Sequence, residues 1–288
     1  MSAPHHLLIF GLGYSGRAIA TLAQQSGFAV SITSRNPQPE AGLDVIAFSA
    51  AQATIAAATH IISTAAPDAQ GDPVLARYAA DIAAAPRILY LGYLSTTGIY
   101  GNRDGAWVDE DTKLAPTSAR GQRRLAAEQS WSEVALARRT LDIFRLAGIY
   151  GPGRSMFDDL RAGTARHVVK PGHLFGRIHV ADIAQGVVTA MRRPANPGVH
   201  IFNFTDDEPA ASAQVVVEAA RLLGVAPPPP LEYAQAMHAM SPMALSFWAE
   251  NRRVANAKTK AALSLSWRYP TYREGLAAIL AEESGNGC

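Results

Sequence analysis

A chain of 288 residues, 48% apolar and 17% charged, has the length and composition to bury a full α/β domain plus a smaller lobe, which excludes a disordered protein. Its 26 basic and 24 acidic residues leave a net charge of +2, too little to draw it to nucleic acid or to an anionic membrane. Cys288 is the one cysteine, the first apolar run (Leu7 to Phe10) is short, and no stretch reaches the ~18 unbroken apolar residues of a membrane span, so we expect a cytoplasmic protein without disulfides.

In chain order, Leu7 to Phe10 reads as a strand that ends in Gly11-Leu12-Gly13-Tyr14-Ser15-Gly16. Arg17 to Gln25 reads as helix, with Gly27 as a left-handed cap, and Phe28 to Thr33 as a second buried strand. This is a βαβ unit. Val45 to Phe48 is a third strand, Ala50 to Ala58 a short helix, and His60 to Ser63 a fourth strand closed by Ala65-Ala66-Pro67. Val74 to Ala84 reads as helix and Arg87 to Leu94 as the fifth strand. A long helix over 118–138, with Leu125, Ala126, Val134 and Leu136 as its apolar positions, leads to a sixth strand over Leu141 to Arg145. Strands apolar throughout, alternating with helices, predict an α/β fold with a Rossmann-type doubly wound parallel sheet.

After Tyr150 the texture changes. Gly151-Pro152-Gly153 is a turn, 163–176 is irregular, Arg177 to Val180 reads as strand and Asp182 to Met191 as helix. Asn203 to Pro209 reads as polar loop, and Pro227 to Pro230 as a polyproline connector. We therefore expect a dinucleotide-binding domain over 1–152 together with 177–204. A smaller C-terminal substrate lobe then comprises 153–176 and 205–288.

Gly11-x-Gly13-x-x-Gly16 meets its context test, since a strand precedes it and a helix follows. Gly11 allows the tight turn, Gly13 lets the backbone approach a pyrophosphate, and Gly16 lets helix and strand pack closely. The helix start at Tyr14 and Ser15 offers amides to the phosphates. About 20 residues on, where an Asp or Glu selects NAD by binding the ribose, the chain has Thr33-Ser34-Arg35 and no carboxylate until Glu40. Arg35 suits a 2′-phosphate, with Ser34 as a hydroxyl partner, so we expect NADP as cofactor, with NAD as the alternative. Ala65, at the end of the fourth strand, completes the expected cofactor set.

Further motifs carry a resemblance. Ser95-Thr96-Thr97-Gly98-Ile99-Tyr100-Gly101, the segment from Arg145 through Gly151-Pro152-Gly153-Arg154, and His179-Val180-x-Asp182 followed by Asn203 stand in order after the glycine motif. In this the chain resembles the extended short-chain dehydrogenase/reductase family, in its NAD(P)-dependent epimerase/dehydratase branch, and specifically the atypical members. The resemblance implies an oxidoreductase acting on a small polar or anionic metabolite such as a nucleotide sugar, and a homodimer. It places the substrate-orienting hydroxyl at Thr96.

The chain departs from the family pattern where proton transfer belongs. Counting back from Glu128, the Lys position is Arg124 and the Tyr position is Arg120. Arg120 stays charged near neutral pH and cannot shuttle protons there. Arg124 can contact ribose or phosphate as a fixed cation, but Arg124 and Glu128 also lie at the i,i+4 spacing of a surface ion pair. Tyr100, Tyr150, His179 and Asp182 are the candidate replacement acids or bases, and Tyr100 is the most attractive by location. Arg120, Arg154 and His179 are the candidate substrate contacts. A non-catalytic NADP-binding sensor or assembly protein is the other reading. No metal site is expected.

Overall fold

The computed structural model describes residues 5–135 and 138–285, so Leu136 and Cys288 lie outside the described residues. The chain forms two compact units. The first comprises Met1–Ile99, Ala119–Arg145 and Ile183–Phe202; the second comprises Tyr100–Ser118, Leu146–Asp182 and Asn203–Cys288.

A seven-stranded sheet organises the first unit. Its strands are β1 (His6–Phe10), β2 (Ala29–Ser34), β3 (Asp44–Ala47), β4 (His60–Ser63), β5 (Tyr90–Thr96), β6 (Thr140–Leu146) and β7 (Gly198–Phe204). They lie in the order β7-β6-β5-β4-β1-β2-β3. β1 pairs in parallel with β2 and β4, β2 with β3, and β4 with β5. β4 and β6 are buried at every position, as parallel strands covered on both faces must be. The fold class read from the sequence is the one observed.

Four helices of this unit position the site: α1 (Tyr14–Gln25), α2 (Gln52–Ala57), α3 (Pro73–Ala84) and α4 (Ala119–Ala135). Asp72 caps α3 by accepting from the amides of Val74 and Leu75, with Pro73 at the first helical position. Leu8, Phe10, Ile61, Leu91 and Ile143 of the sheet pack with Val74, Tyr78, Ile82 and Trp131 of the helices in one core.

Four expectations need correction. Asn203 and Phe204, expected to open a polar loop, instead end β7, a half-exposed edge strand whose apolar run is interrupted by His200 and Asn203. The strand over Arg177 to Val180 ends at His179, and Val180 already opens a helix that runs to Met191. The first helix begins at Tyr14, inside the glycine motif. α4 buries Gly121, Arg124, Glu128, Trp131 and Ala135, a regular helical stripe, while Ala126 is exposed. Its inward face is charged, so a search for apolar spacing finds the wrong stripe.

In the second unit, Tyr150, Phe157, Val215, Ala219, Tyr272, Leu276 and Ile279 form a core, and Tyr100, Val108 and Val254 form a smaller one. Arg177–His179 pairs in parallel with Gly148–Tyr150.

Candidate active site

The glycine turn joins β1 to α1. Gly11 has φ +112°, and a Cβ there would lie 2.5 Å from Thr64 Oγ1. A Cβ on Gly16 would lie 2.1 Å from the Gly11 carbonyl oxygen. A Cβ on Gly13 would meet no protein atom within 4 Å, although the residue stands at the helix entrance. Two glycines are therefore required by the protein's own packing, while the third faces open space where a ligand backbone approach would need it. The turn is held by Leu12 N donating to Thr33 O (2.9 Å) and Gly11 N to Thr33 Oγ1 (3.2 Å). Thr64 Oγ1 lies 3.1 Å from Phe10 O and 3.0 Å from Gly11 O. α1 has no side-chain cap and no acid in its first turn, so its positive end is left for an anion.

At the end of β2, Ser34 Oγ accepts from Asn36 N (3.1 Å) and Arg35 is exposed. Glu40, the first carboxylate beyond β2, is paired with Arg17 of α1. It is thus engaged away from a ribose-binding role.

The carboxyl end of β5 carries a buried polar triad. Ser95 Oγ donates to Glu128 Oε1 at 2.5 Å, and Arg145 Nη2 donates to Glu128 Oε2 at 2.9 Å. Arg145 and Glu128 side chains are each 4% exposed. The surface pair of Arg124 with Glu128 is not formed. Arg124 turns inward, and Nη1 donates to Leu94 O (2.7 Å), Tyr93 Oη (3.0 Å) and Ala65 O (3.3 Å). Tyr93 stacks on Trp131, whose Nε1 donates to Asp72 Oδ2 at 3.1 Å. Burial drives the Tyr93 phenol well above its ordinary pKa, so it stays protonated. Thr96 is half-buried and its Oγ1 accepts from Gly98 N (3.1 Å). Arg120, one turn before Arg124, is exposed. The structure therefore brings Ala65 and Arg124 together, and gathers Gly11, Gly13, Tyr14, Ser15 and Gly16 into one turn. Thr64, Tyr93 and the partners of Glu128 were missed by sequence reasoning, since each acts through a tertiary contact.

In the second unit, the candidate acids and bases Tyr100, Tyr150, His179 and Asp182 are all buried. Tyr100 is fully buried and its hydroxyl donates to Asn203 Oδ1 at 2.8 Å. His179 is 3% exposed, packs edge-on to Tyr150 and Tyr269, and accepts at Nδ1 from Ala181 N. Burial, reinforced by Arg268, lowers its pKa to about 4, so it is neutral near pH 7. Asp182 accepts from the amides of Arg268 (2.6 Å) and Tyr269 (3.1 Å). Tyr150 packs against Gly275, where a Cβ would lie 2.0 Å from its hydroxyl. Arg154 is exposed on the Gly151–Arg154 turn. Among the described residues no cluster of His, Cys, Asp or Glu could hold a metal ion. No helix among them is long and apolar enough to cross a membrane.

No family model matches the chain. A functionally unknown conserved protein of Silicibacter pomeroyi is 44% identical, with TM-score 0.89 over 97% of this chain and 99% of that one. The chain belongs to one family with that protein. Two further structures share its fold at lower identity. The human epimerase family protein SDR39U1 (isoform 2), solved with NADPH, is 18% identical, with TM-score 0.76 over 96% of this chain and 99% of that one. MoeE5, solved with UDP-glucuronic acid and NAD, is 18% identical, with TM-score 0.76 over 98% and 99%. The chain thus shares its fold with these two structures. Protein YeeZ of Escherichia coli is 32% identical over 151 residues, 51% of each chain, so the match spans about half the length of this curated relative.

Proposed function

We propose that the protein is an NAD(P)-dependent oxidoreductase of the epimerase/dehydratase type, with NADP preferred, acting on a small polar or anionic metabolite. The observation that carries this reading is the glycine turn, where Gly13 leaves open space at an uncapped helix N-terminus. The NADPH and NAD in the structures of SDR39U1 and MoeE5 support it, and the UDP-glucuronic acid of MoeE5 makes a nucleotide sugar the substrate to test first.

The residues present fit the dinucleotide. The amides of Tyr14, Ser15 and Gly16 would hold the pyrophosphate, Gly11 and Gly13 admit it, and Ser34 and Arg35 would take the adenosine ribose and its 2′-phosphate. Ala65 would flank the nicotinamide half. When bound, the cofactor supplies or accepts hydride at the nicotinamide ring. Thr96 would orient the substrate oxygen through its hydroxyl, which both donates and accepts. Arg124, at the place of the family Lys, would contribute a permanent charge. Arg120 and Arg154 would attract an anionic substrate from exposed positions. We place the protein in the cytoplasm as a homodimer.

The inward, engaged hydroxyls of Ser95, Tyr93 and Tyr100 favour a second reading, a non-catalytic NADP-binding protein. Titration with NADPH and NADH, read by Trp emission and melting temperature, tests both readings; absence of any response to either nucleotide would refute them. A metabolite panel followed at the nicotinamide absorbance separates them, because only the enzyme turns over.

A further inference from the structure

Arg124 is a buried cation without a counter-charge. The residue is 8% exposed, and it forms no ion pair among the described residues. Its three hydrogen bonds all leave from Nη1 and end on neutral oxygens, those of Leu94, Tyr93 and Ala65. Its Nε is buried with no hydrogen-bond partner. The two carboxylates within reach of its surroundings are committed elsewhere. Glu128 holds Arg145 and Ser95, and Asp72 holds Trp131 and the α3 amides. A guanidinium removed from water in this way is normally neutralised by an anion.

The sheet order separates this site from the pyrophosphate cradle. Arg124 reaches carbonyls on β5 and just beyond β4, which are two strands and one strand away from β1 in the order β5-β4-β1. At about 4.8 Å per strand, that is roughly 5–10 Å across the sheet from the glycine turn. A ribose hydroxyl can accept a hydrogen bond here but brings no negative charge.

We infer that Arg124 is the anion anchor of the substrate site, holding a carboxylate of the substrate by its guanidinium edge while Nη1 keeps the group locked to the ends of β4 and β5. The inference rests on the reading that a nicotinamide cofactor binds at the glycine turn. Its chemistry differs from a lysine's in one respect. The planar fork is fixed in orientation by three acceptors, so it favours an anion that can accept two parallel hydrogen bonds, as a carboxylate does, over a neutral group.

Oxalate is the probe, titrated into the protein with and without saturating NADP and read by calorimetry and by Trp emission, to which Trp131 beside Tyr93 contributes. The expected result is saturable binding, weakened at least roughly tenfold in Arg124→Gln and less in Arg124→Lys. Undiminished binding in Arg124→Gln, or no saturable binding to wild-type protein that does bind NADP, overturns the inference. If Arg124→Gln does not fold, a Lys variant that binds oxalate with unchanged affinity overturns it instead. Failure of NADP to bind, with Arg124-dependent oxalate binding retained, refutes the cofactor reading and leaves the anion anchor standing.

Discussion

Glu128 pairs with Arg145 of β6, 2.9 Å away, and leaves Arg124, one turn earlier on its own helix, to the strand carbonyls. With Ser95 as third member, the pair ties α4, β5 and β6 together at the sheet's carboxyl edge. Removing Glu128 strands a guanidinium that is 4% exposed. Glu128→Ala should therefore lose about 3–5 kcal/mol of stability. Replacing both partners by apolar residues should recover much of that loss, since an apolar pair carries no uncompensated charge. Urea unfolding of the single and double variants measures this, and a single-variant loss below about 1 kcal/mol would show that the pair is solvated in solution.

The three glycines of the turn should separate stability from binding. Gly16→Ala drives a methyl to within 2.1 Å of the Gly11 carbonyl, and backbone there cannot yield easily. A loss of about 1–3 kcal/mol is expected. Gly13→Ala meets nothing in the protein, so its melting temperature should be unchanged while NADPH affinity falls. A Gly13→Ala variant with wild-type NADPH affinity would remove this turn as the phosphate cradle.

How far the sequence could be read follows from where each residue finds its partner. β1, β4 and β6 carry short apolar runs because both sheet faces are covered, and Leu7 to Phe10 and Ile61-Ile62 are visible without a structure. β7 lies at the sheet edge and is half-exposed, so its pattern is neither a run nor a clean alternation. The glycine motif was legible because each glycine answers a local demand. The arrangement around Arg124 was not, because i,i+4 spacing suggests a surface pair and only the packing of α4 shows that both residues face inward. The partner of Tyr100 was not legible for a similar reason: its position in the motif is clear from sequence, but its hydrogen bond crosses to Asn203.

Arg35 is exposed beyond β2, and Glu40 is held by Arg17. The charge at this end of the sheet therefore favours a phosphate over a bare ribose. Arg35→Ala should reduce the preference for NADPH over NADH by roughly tenfold, the value of one lost charge-assisted contact, and leave NADH affinity unchanged. The ratio of dissociation constants decides it: an unaltered ratio takes Arg35 out of the cofactor site.

His60 begins β4 at 5% exposure, ringed by His5, Phe28 and Tyr90. Burial, followed by the charge of His5, lowers its pKa from 6.5 to about 4. The unfolded chain therefore binds a proton near pH 6.5 that the folded chain refuses until about pH 4. Stability attributable to His60 is full above pH 6.5, declines as pH falls from there, and levels off near pH 4. The whole effect is about 3 kcal/mol if His60 titrates alone. Asp142, whose carboxyl is raised by burial, works in the opposite direction, so total stability against pH does not isolate the histidine. The informative quantity is the difference between wild type and His60→Phe, measured by urea unfolding from pH 7.5 to pH 4.5. That difference should change steadily in favour of the variant as the pH falls. A difference that stays constant across the range would mean that His60 reaches water in solution.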